Sequence, residues 1–526
     1  MRPTFMFFMA FFLLYFCGFN SAKAQVIEVN GAVYGSWVAD TVKVTSNIFI
    51  PPDSTLAIEE GTYIEFYGPF CFAVEGNIQA IGTEEKPIVF TIIDTMEMSN
   101  PHTPRGGWKG LLFNNNISDS SIFNYCQIRY GKAWSDTLDA CGGVINIQQS
   151  NKIRFSHCTI SYSIAEFMGG AVYLNQSDVI FKNCDISYNR AGIDSTGYGG
   201  GVLAIMGSPV FKHCTVSNNR AIGVGGGLCI WSTDNATITH SIIDNNIGST
   251  GGGAFFYNCN GGLFTNNLII NNTGYYFGGA LGLKNTQFPI VNCTMTDNFG
   301  GQGGGIYGSS GVTTPFYNCI FSGNSAFGEG QQIYIAYLES APGFYHSVVA
   351  GGREEFGGSG GTYPGAFHGE YIQNLEGEEP FVSVGDFNYC LDATSSCIDY
   401  GYSDTIAANI PTTDLAGNNR ISGEAIDLGA IEFQHTSLIN EKNISDDIQI
   451  FPNPVGEKTL ITFPQGHQIR KVRIINSTQN TIFQTTINKN EKHMIWNGTN
   501  KAGERQPTGC YFLTTDCGIT HKIILL

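Results

Sequence analysis

The sequence predicts an all-β protein, in which a long solenoid of stacked β coils is followed by a small, separate β domain. The first observation behind the solenoid is a Gly-Gly dipeptide that recurs every 26 to 31 residues through the middle of the chain. The small or apolar residues directly after these glycines are Val144, Ala171, Val202, Leu228, Ala254, Ala280 and Ile306. Two ladders run in phase with them, namely Cys158, Cys184, Cys214, Ser241, Asn267, Cys293 and Cys319, and then Ser163, Asn189, Asn219, Asn246, Asn272, Asn298 and Asn324. Self-similarity at a fixed period is typical of a solenoid in which each repeat forms one structural turn.

Each repeat is composed of short β segments. In Gly199–Val224 an apolar stretch follows the glycines, Ser208 and Pro209 interrupt it, and an alternating stretch at 210–217 leads to a turn at 218–219. No helical period and no alternating helix is present, so the repeats are expected to stack as β coils. Equivalent apolar side chains should then form interior columns, such as Ile160, Ile186, Val216, Ile243, Ile269, Met295 and Phe321.

The Asn ladder has a physical reason. A turn exposes backbone groups that strand pairing leaves unsatisfied, and an Asn amide carries both donors and an acceptor, so stacked amides can bond one another and the backbone. We therefore expect Asn272 and its equivalents to be structural turn residues.

These repeats resemble those of right-handed parallel β-helix proteins, the architecture shared by pectate lyases and many surface proteins. The upstream segments 55–66, 76–83, 87–91 and 107–111 are similar to the opening coils of such helices. The resemblance implies a right-handed parallel β-helix over residues 25–350, with an N-terminal cap and about ten to twelve coils.

The repeat fades after about residue 350. The segments 379–381, 396–401, 414–420 and 426–432 resemble the terminal part of exported bacterial β-helix proteins. The resemblance implies that residues 351–434 form the helix end and a cap that shields the last coil. Asp414, Arg420 and Asp427 are interpreted as salt-bridge residues of this cap.

Residues 435–446 are interpreted as a polar linker, and residues 447–526 as a small β-sandwich domain. Its Phe-Pro-Asn-Pro opening, Trp496 before Gly498, a Pro-x-Gly-x-Tyr hairpin and a basic-then-apolar last strand resemble the type A C-terminal sorting domain of the type IX secretion system of Bacteroidetes-like bacteria. The resemblance implies that this domain engages the secretion machinery. It further implies passage through the periplasm and outer membrane to the cell surface or the medium.

The N-terminus predicts a signal peptide at residues 1–24. Arg2 supplies the positive charge, residues 5–16 are an apolar run too short to span a bilayer, and residues 22–24 form a small-x-small cleavage site. The mature chain, from Gln25, is expected to have no membrane span.

Composition and charge restrict the partners. The net charge is −17, and residues 441–526 carry 10 Lys and Arg against 7 Asp and Glu, so the acidity lies in the rest of the chain. We expect no nucleic-acid partner and no unassisted binding of polyanionic sugars. Stacked parallel positions suit buried thiols better than disulfides in the Cys ladder, and the disulfide candidates are Cys390 with Cys397 and Cys510 with Cys517.

The helix sequence has neither the carboxylate cluster of a Ca²⁺-dependent lyase nor the paired Asp residues of a glycosidase. The best available acid–base group is His157, Asp185 and Arg190, which coil spacing places near one another. His213 and His240 lie at equivalent positions of adjacent coils, but Asn fills this position elsewhere, which favours a hydrogen-bonding rung. We expect no metal site and no cofactor, with Ca²⁺ left open as an alternative.

The candidate ligand-binding residues are Tyr198, Trp231, Tyr257, Tyr275 and Tyr276, because aromatic faces stack on sugars. Packing at coil edges is the alternative interpretation. The favoured function is an exported, non-enzymatic β-helix that binds glycan or adheres to a host or neighbouring surface. The alternatives are a polysaccharide lyase or glycoside hydrolase, and a purely structural surface stalk.

Overall fold

The structure is a computed structural model that describes residues 25–434 and 448–525 apart from short gaps. The gaps are residues 101–102, 116–119, 135–140, 194–195, 362–366, 378–380, 385–386 and 403–409, and then 452, 454, 457, 464–468, 477–479, 489–491, 508 and 517–519. The chain divides into two compact units, the first ending at His435 and the second beginning at Thr436. The predicted signal peptide and linker lie outside the described residues.

The first unit is a stack of parallel coils whose strands form four faces, named sheets I to IV in the order in which one coil passes through them. Sheet I, which follows the glycines, comprises Cys71–Val74, Gly110–Asn114, Ile145–Gln148, Val172–Asn175, Val202–Ile205, Leu228–Trp231, Ala254–Cys259, Leu281–Thr286, Ile306–Gly308 and Ile333–Ile335. Sheet II comprises Gly35–Trp37, Thr55–Ile58, Asn77–Ile81, Ile122–Asn124, Ile153–Ser156, Val179–Lys182, Val210–Lys212, Ala236–Thr239, Gly262–Thr265, Ile290–Val291, Pro315–Tyr317, Gly343–Tyr345 and Tyr371–Ile372.

Sheet III comprises Val26–Ala32, Thr41–Ile50, Tyr63–Phe66, Ile88–Ile92, Cys126–Arg129, Thr159–Ser161, Asp185–Ser187, Thr215–Ser217, Ile242–Asp244, Leu268–Ile270, Thr294–Thr296, Ile320–Ser322 and Val348–Val349. Sheet IV comprises the short strands Lys132–Ala133, Ile164–Ala165, Arg190–Ala191, Arg220–Ala221, Ile247–Thr250, Thr273–Phe277, Phe299–Gln302 and Ser325–Ala326. The long strand Thr41–Ile50 joins sheets I and III, because its first half pairs with Tyr63–Phe66 and its second half with Cys71–Val74. A short 3-10 helix spans Arg353–Glu355. Within the described ranges, no helix has the length and apolar character that crossing a membrane requires.

Glycines precede sheet I because successive coils approach closely there. A Cβ on Gly200 would lie 2.2 Å from the carbonyl oxygen of Gly226. Gly225 has a φ of 69°, in the left-handed region that glycine adopts without steric cost. The Gly-Gly period of the sequence therefore marks the coil-to-coil contact.

The interior consists of apolar columns, one residue per coil. Ile243 and Ile269 are fully buried and pair across adjacent strands, as the sequence predicts. A second column, in sheet II, consists of stacked rings with centroids 4.7 to 5.0 Å apart, contributed by Phe123, Phe155, Phe181 and Phe211. The predicted solenoid of stacked β coils is confirmed.

Thiols and amides form two further columns. Cys158 and Cys184 are buried free thiols, and burial raises the pKa of both. Asn246 Nδ2 donates to Asn272 Oδ1 at 3.0 Å and to the Val216 carbonyl oxygen at 2.8 Å. The backbone N–H of Asn246 donates to the same Asn272 oxygen at 2.9 Å. The predicted thiol and amide ladders are therefore both present.

The segment after the last coil has two parts. Phe356, Phe367 and Tyr371 pack around Phe344, with ring centroids 5.4 to 6.3 Å apart, and close the end of the core. An antiparallel hairpin follows, formed by Phe381–Val384 and Phe387–Leu391.

Residues 387–402 and 410–434, named the cap here, then lie along the outer face of sheet III. In one apolar cluster Leu415 and Ile431 pack with Leu268 and Ile270. In another, Leu428 packs with Ile320 and Val348, which face outward from later strands of the same sheet. We expected residues 351–434 to shield the last coil. This expectation is wrong for the cap, because the cap packs against apolar residues on the outer face of sheet III.

The candidate disulfide between Cys390 and Cys397 is not formed, since Cys390 is a free thiol. The two residues belong to different parts of the cap: Cys390 packs against the cluster around Leu268, and Cys397 is buried in the cluster around Ile320. The other candidate pair cannot be compared, because Cys517 and the Cys510 side chain lie outside the described residues.

The second unit consists of two antiparallel sheets. One contains Gln449–Phe451, Thr459–Thr462 and His493–Trp496, and the other contains Thr481–Thr486, Lys471–Asn476, Gly509–Thr515 and Thr520–Leu525. Both contribute to one apolar core, in which Trp496 and Ile461 from the first sheet meet Val472 and Leu513 from the second. The predicted small C-terminal β-sandwich is confirmed.

Candidate functional site

The outer face of sheet I carries a column of side chains near the end of each strand. Strand register aligns Asn114, Gln148, Asn175, Ile205, Trp231, Tyr257 and Lys284. These residues face outward because side chains alternate along a strand, and the preceding residues Ile230 and Phe256 belong to the core. At roughly 4.8 Å per coil, this sheet I column is about 29 Å long.

Aromatic rings dominate the middle of the sheet I column. The Tyr198 ring meets Trp231 edge to face at a centroid distance of 5.9 Å, and Trp231 meets Tyr257 at 5.2 Å. Lys284 Nζ lies 5.2 Å from the centre of the Tyr257 ring, within the range of a cation–π contact. The structure thus brings together Tyr198, Trp231 and Tyr257 and adds Lys284.

Tyr275 and Tyr276 lie elsewhere, on sheet IV, and are 53% and 67% exposed. The Tyr276 ring centroid is 6.5 Å from that of Phe277, which stacks on Tyr307 at 4.4 Å. Tyr307 in turn stacks on Tyr334 at 5.8 Å. Sequence reasoning missed Tyr307 and Tyr334, although both follow the first residue of a sheet I strand and the repeat register could have revealed them.

Amides occupy the other end of the sheet I column. Gln148 Nε2 donates to Asn146 Oδ1 at 3.0 Å. Asn175 Oδ1 is buried and has no hydrogen-bond partner. A column that combines amides with ring faces offers the donors, acceptors and apolar surfaces that a sugar polymer requires.

The three catalytic candidates are not assembled into one group. His157 stacks on Tyr125 at 4.5 Å, and its Nε2 lies 2.7 Å from Asn183 Nδ2. Asp185 faces outward from sheet III with its Oδ1 unpartnered, and Arg190 Nε donates to a backbone carbonyl oxygen of its own loop at 3.2 Å. Among the described residues, no hydrogen bond or ion pair joins any two of the three candidates.

Two histidines, His240 and His346, hold the cap. His240 Nε2 lies 3.0 Å from the Thr413 carbonyl oxygen, which also accepts from Asn266 Nδ2. His346 Nδ1 lies 3.1 Å from the Tyr400 carbonyl oxygen. Burial lowers the pKa of His240, which favours the neutral ring. In the described part of the chain, no three His, Cys, Asp or Glu side chains are grouped so as to hold a metal ion.

A buried ion pair lies within the cap. Arg420 Nη2 is 3.5 Å from Glu432 Oε2, and both side chains are almost fully buried. Arg420 also donates to the carbonyl oxygens of Asp427 and Gly429, and Asp414 Oδ2 accepts from the Glu432 N–H. Burial raises the pKa of Glu432 to about 7 in spite of Arg420. These contacts serve the cap structure, and the ion partner of Arg420 is Glu432 rather than Asp414 or Asp427.

Comparison with known proteins supports the architecture. Residues 198–340 match the family described as "Right handed beta helix region". The fold is similar to that of a mutant of the periplasmic alginate epimerase AlgG, with 12% identity, a TM-score of 0.36, and 65% of this chain and 78% of that chain covered. It is also similar to pectate lyase Pel9A, with 15% identity, a TM-score of 0.30, and 72% and 89% of the two chains covered. The curated proteins include no match. The predicted right-handed parallel β-helix is confirmed, and the two structural likenesses are too distant to carry a functional assignment.

Proposed function

We propose that the protein is an exported, non-enzymatic β-helix that binds an extracellular polysaccharide along the sheet I column. The observation that carries the proposal is the row of Tyr198, Trp231 and Tyr257, which ends at Lys284. Ring faces bind the apolar faces of sugars, and the amides of the column bind hydroxyl groups. A column of about 29 Å suits a polymer segment better than a single sugar.

The non-enzymatic part of the proposal is supported by the contacts of His157 and Arg190, which in the described structure are with residues other than one another and Asp185. General acid–base catalysis requires groups within hydrogen-bond reach of one substrate position. In the described structure His157 is engaged with Tyr125 and Asn183 instead.

The test is a glycan array with the mature chain and with Trp231→Ala. We expect the variant to lose roughly tenfold or more in affinity, because a large aromatic contact is removed from the centre of the site. Tyr34→Ala, an exposed ring far from the column in sequence, is the matched control and should bind as the parent does. Equal binding by all three chains would refute the sheet I site, and absence of any glycan binding would favour a structural stalk.

The same polymers should be assayed for reducing ends and unsaturated products. We expect no turnover. Cleavage by the mature chain that is lost in Asp185→Asn would overturn the non-enzymatic part and make Asp185 a catalytic residue in an enzyme acting on polysaccharide.

Export rests on residues 1–24 and on the sorting-domain resemblance of residues 447–526. Deleting 447–526 should leave a folded first unit in the periplasm, because that unit has its own core. Cell fractionation measures the outcome. A truncated chain that reaches the surface or the medium normally would refute the assignment of the C-terminal unit to type IX secretion.

A further inference from the structure

The outer face of sheet III changes character along the helix. In the described structure, the hydrogen bonds and apolar contacts of the cap to this sheet fall at His240 or later in the chain. Before that point the outward-facing residues of four successive strands are all polar or charged, namely Gln127, Arg129, Thr159, Ser161, Asp185, Ser187, Thr215 and Ser217. These eight residues are named the open face here, since no described part of the cap contacts them; Ser161, Ser187 and Ser217 are buried among their neighbours and the other five are half-buried.

Four cations border the open face. Lys182 and Lys212 are neighbours at the edge of sheet II, and Arg190 and Arg220 are neighbours in sheet IV. None of the four forms an ion pair with another residue that the structure describes. The pKa of His213 is lowered by burial, by His240 and then by Lys212 and Lys182, which is consistent with both ammonium groups lying near the turn into sheet III.

The open face also has unsatisfied polar atoms and a row of tyrosines. Arg129 Nε and Asp185 Oδ1 are buried without a hydrogen-bond partner. Along the edge next to sheet IV, Tyr130, Tyr162 and Tyr188 stack with centroids 5.6 and 5.2 Å apart. A ligand that carries hydroxyl and anionic groups suits a face of polar side chains that is bordered by cations and by tyrosine rings.

The part of the chain that forms the open face carries a net positive charge, although the whole chain is acidic. Residues 122–221 contain eight Lys and Arg against six Asp and Glu, a net charge of +2 in a chain of −17. Interactions between exposed charges are screened beyond about 8 Å at physiological ionic strength, so a ligand on the open face responds to its immediate neighbours. Among the eight residues of the open face, Asp185 is the one acid.

We propose that the open face is a second ligand site, which binds an anionic polysaccharide bearing carboxylate or sulfate groups without Ca²⁺. The polymer lies across sheet III, with its charged groups at Lys182 and Lys212 on one edge and at Arg190 and Arg220 on the other. The backbone from Lys182 to Arg190 spans at most about 26 Å, so charges that recur along a sugar chain can reach both edges. The site is separate from the sheet I column and does not depend on it.

The test measures binding of the mature chain to a polyuronate, a sulfated glycosaminoglycan and neutral dextran, at physiological salt with a chelator present. The face variant is Lys182→Glu with Lys212→Glu. The matched control is Lys109→Glu with Lys152→Glu, which makes the same charge change at exposed positions outside the face. We expect the parent to bind at least one anionic polymer and not dextran, with roughly tenfold weaker binding for the face variant and less than about twofold for the control.

Preference for the uronate or for the sulfate polymer supports the site and identifies the source of the anionic group. Trp231→Ala should bind the anionic polymer as the parent does, which separates this site from the sheet I column. Equal weakening by the face and control variants would overturn the proposal, as would binding to neither anionic polymer or to dextran equally well. Competition by polyglutamate as strong as by the polysaccharide would also overturn it, in favour of an acidic peptide.

Discussion

The cap covers the outer face of the later strands of sheet III, and the open face is formed by earlier strands. The coils of these two regions differ in their outward-facing residues, whereas their interior residues are alike. In one outward column, Thr215 of an open coil is followed two coils later by Leu268 of a covered coil. In the interior column beside it, Val216 is followed by Ile243 and Ile269 without a change of character. The comparison teaches that interior positions of this β-helix specify the stack, while outward positions specify what each stretch of the stack binds.

The largest effect expected on the covered coils comes from Arg420→Ala. Removing the guanidinium leaves Glu432 buried without its ion partner and several carbonyl oxygens without a donor, at a cost of about 3–5 kcal/mol. We expect the cap to detach, measured as rapid amide exchange at residues 410–434. Exchange in the open coils should stay slow, and Arg353→Ala, which removes an exposed arginine, should behave as the parent does. Loss of protection throughout the helix would show that the two regions are not independent.

The cap should also respond to pH. Burial raises the pKa of Glu432 from its ordinary value to about 7, so the folded cap holds this proton to a higher pH than the unfolded chain does. The contribution of this carboxyl to the stability of the cap is therefore complete below the unfolded pKa near 4.5 and is lost as pH rises through about 7. The free energy of unfolding changes by about 3 kcal/mol over this range. Asp427, whose pKa burial also raises, acts in the same direction, and His240, whose pKa burial lowers, acts in the opposite direction.

Proteolysis of the cap between mildly acidic and mildly alkaline pH measures this contribution. The rate should rise with pH in the parent and rise less in Glu432→Gln, which keeps the shape and cannot ionise. The same pH slope in both chains would assign the response to another group.

A smaller effect is expected from exchanging outward residues between the two regions. Leu268→Thr places a hydroxyl in the buried contact with the cap and should cost about 2 kcal/mol of unfolding free energy. Thr215→Leu, at the equivalent open position, should change stability by less than about 0.5 kcal/mol. Chemical denaturation measures both values. Equal costs would indicate that something also covers Thr215.

Most of the fold could be predicted from the sequence because a solenoid repeats its own constraints. The Gly-Gly period, the thiol column and the amide column each report a local contact between adjacent coils, and all three are present. The position of the cap could not be predicted in this way, since it depends on contacts between residues over 100 positions apart, such as Asn292 with Asp427. A signal for it was nevertheless present, because Ile242, Leu268, Ile270 and Ile320 are apolar at positions where the open coils carry Thr, Ser and Asp.

The candidate site was predictable in part for a related reason. Trp231 and Tyr257 occupy the same repeat position, so the register that defines the coils also aligns their rings. Tyr275 and Tyr276 were assigned to the same kind of site because aromatic residues cluster there in sequence, but they belong to sheet IV. Lys284 was missed because its cation–π contact with Tyr257 depends on where a flexible side chain lies.

The smallest difference between the regions is expected in the amide ladder. Asn219 and Asn272 make the same contacts, each donating through Nδ2 to the next amide oxygen at 3.0 Å and to a carbonyl oxygen of the coil before at 2.7 or 2.8 Å. Asn219 turns the chain at an open coil and Asn272 at a covered one.

Either Asn→Ala change should cost about 1–3 kcal/mol, because buried backbone and amide groups lose their partners. Since the ladder lies inside the stack, where the cap does not reach, the two costs should agree within about 0.5 kcal/mol. Denaturant titration of both variants gives the comparison directly. A much larger cost for Asn272→Ala would mean that the cap stabilises the interior of the coils beneath it, and the two regions would then differ in stability as well as in what they bind.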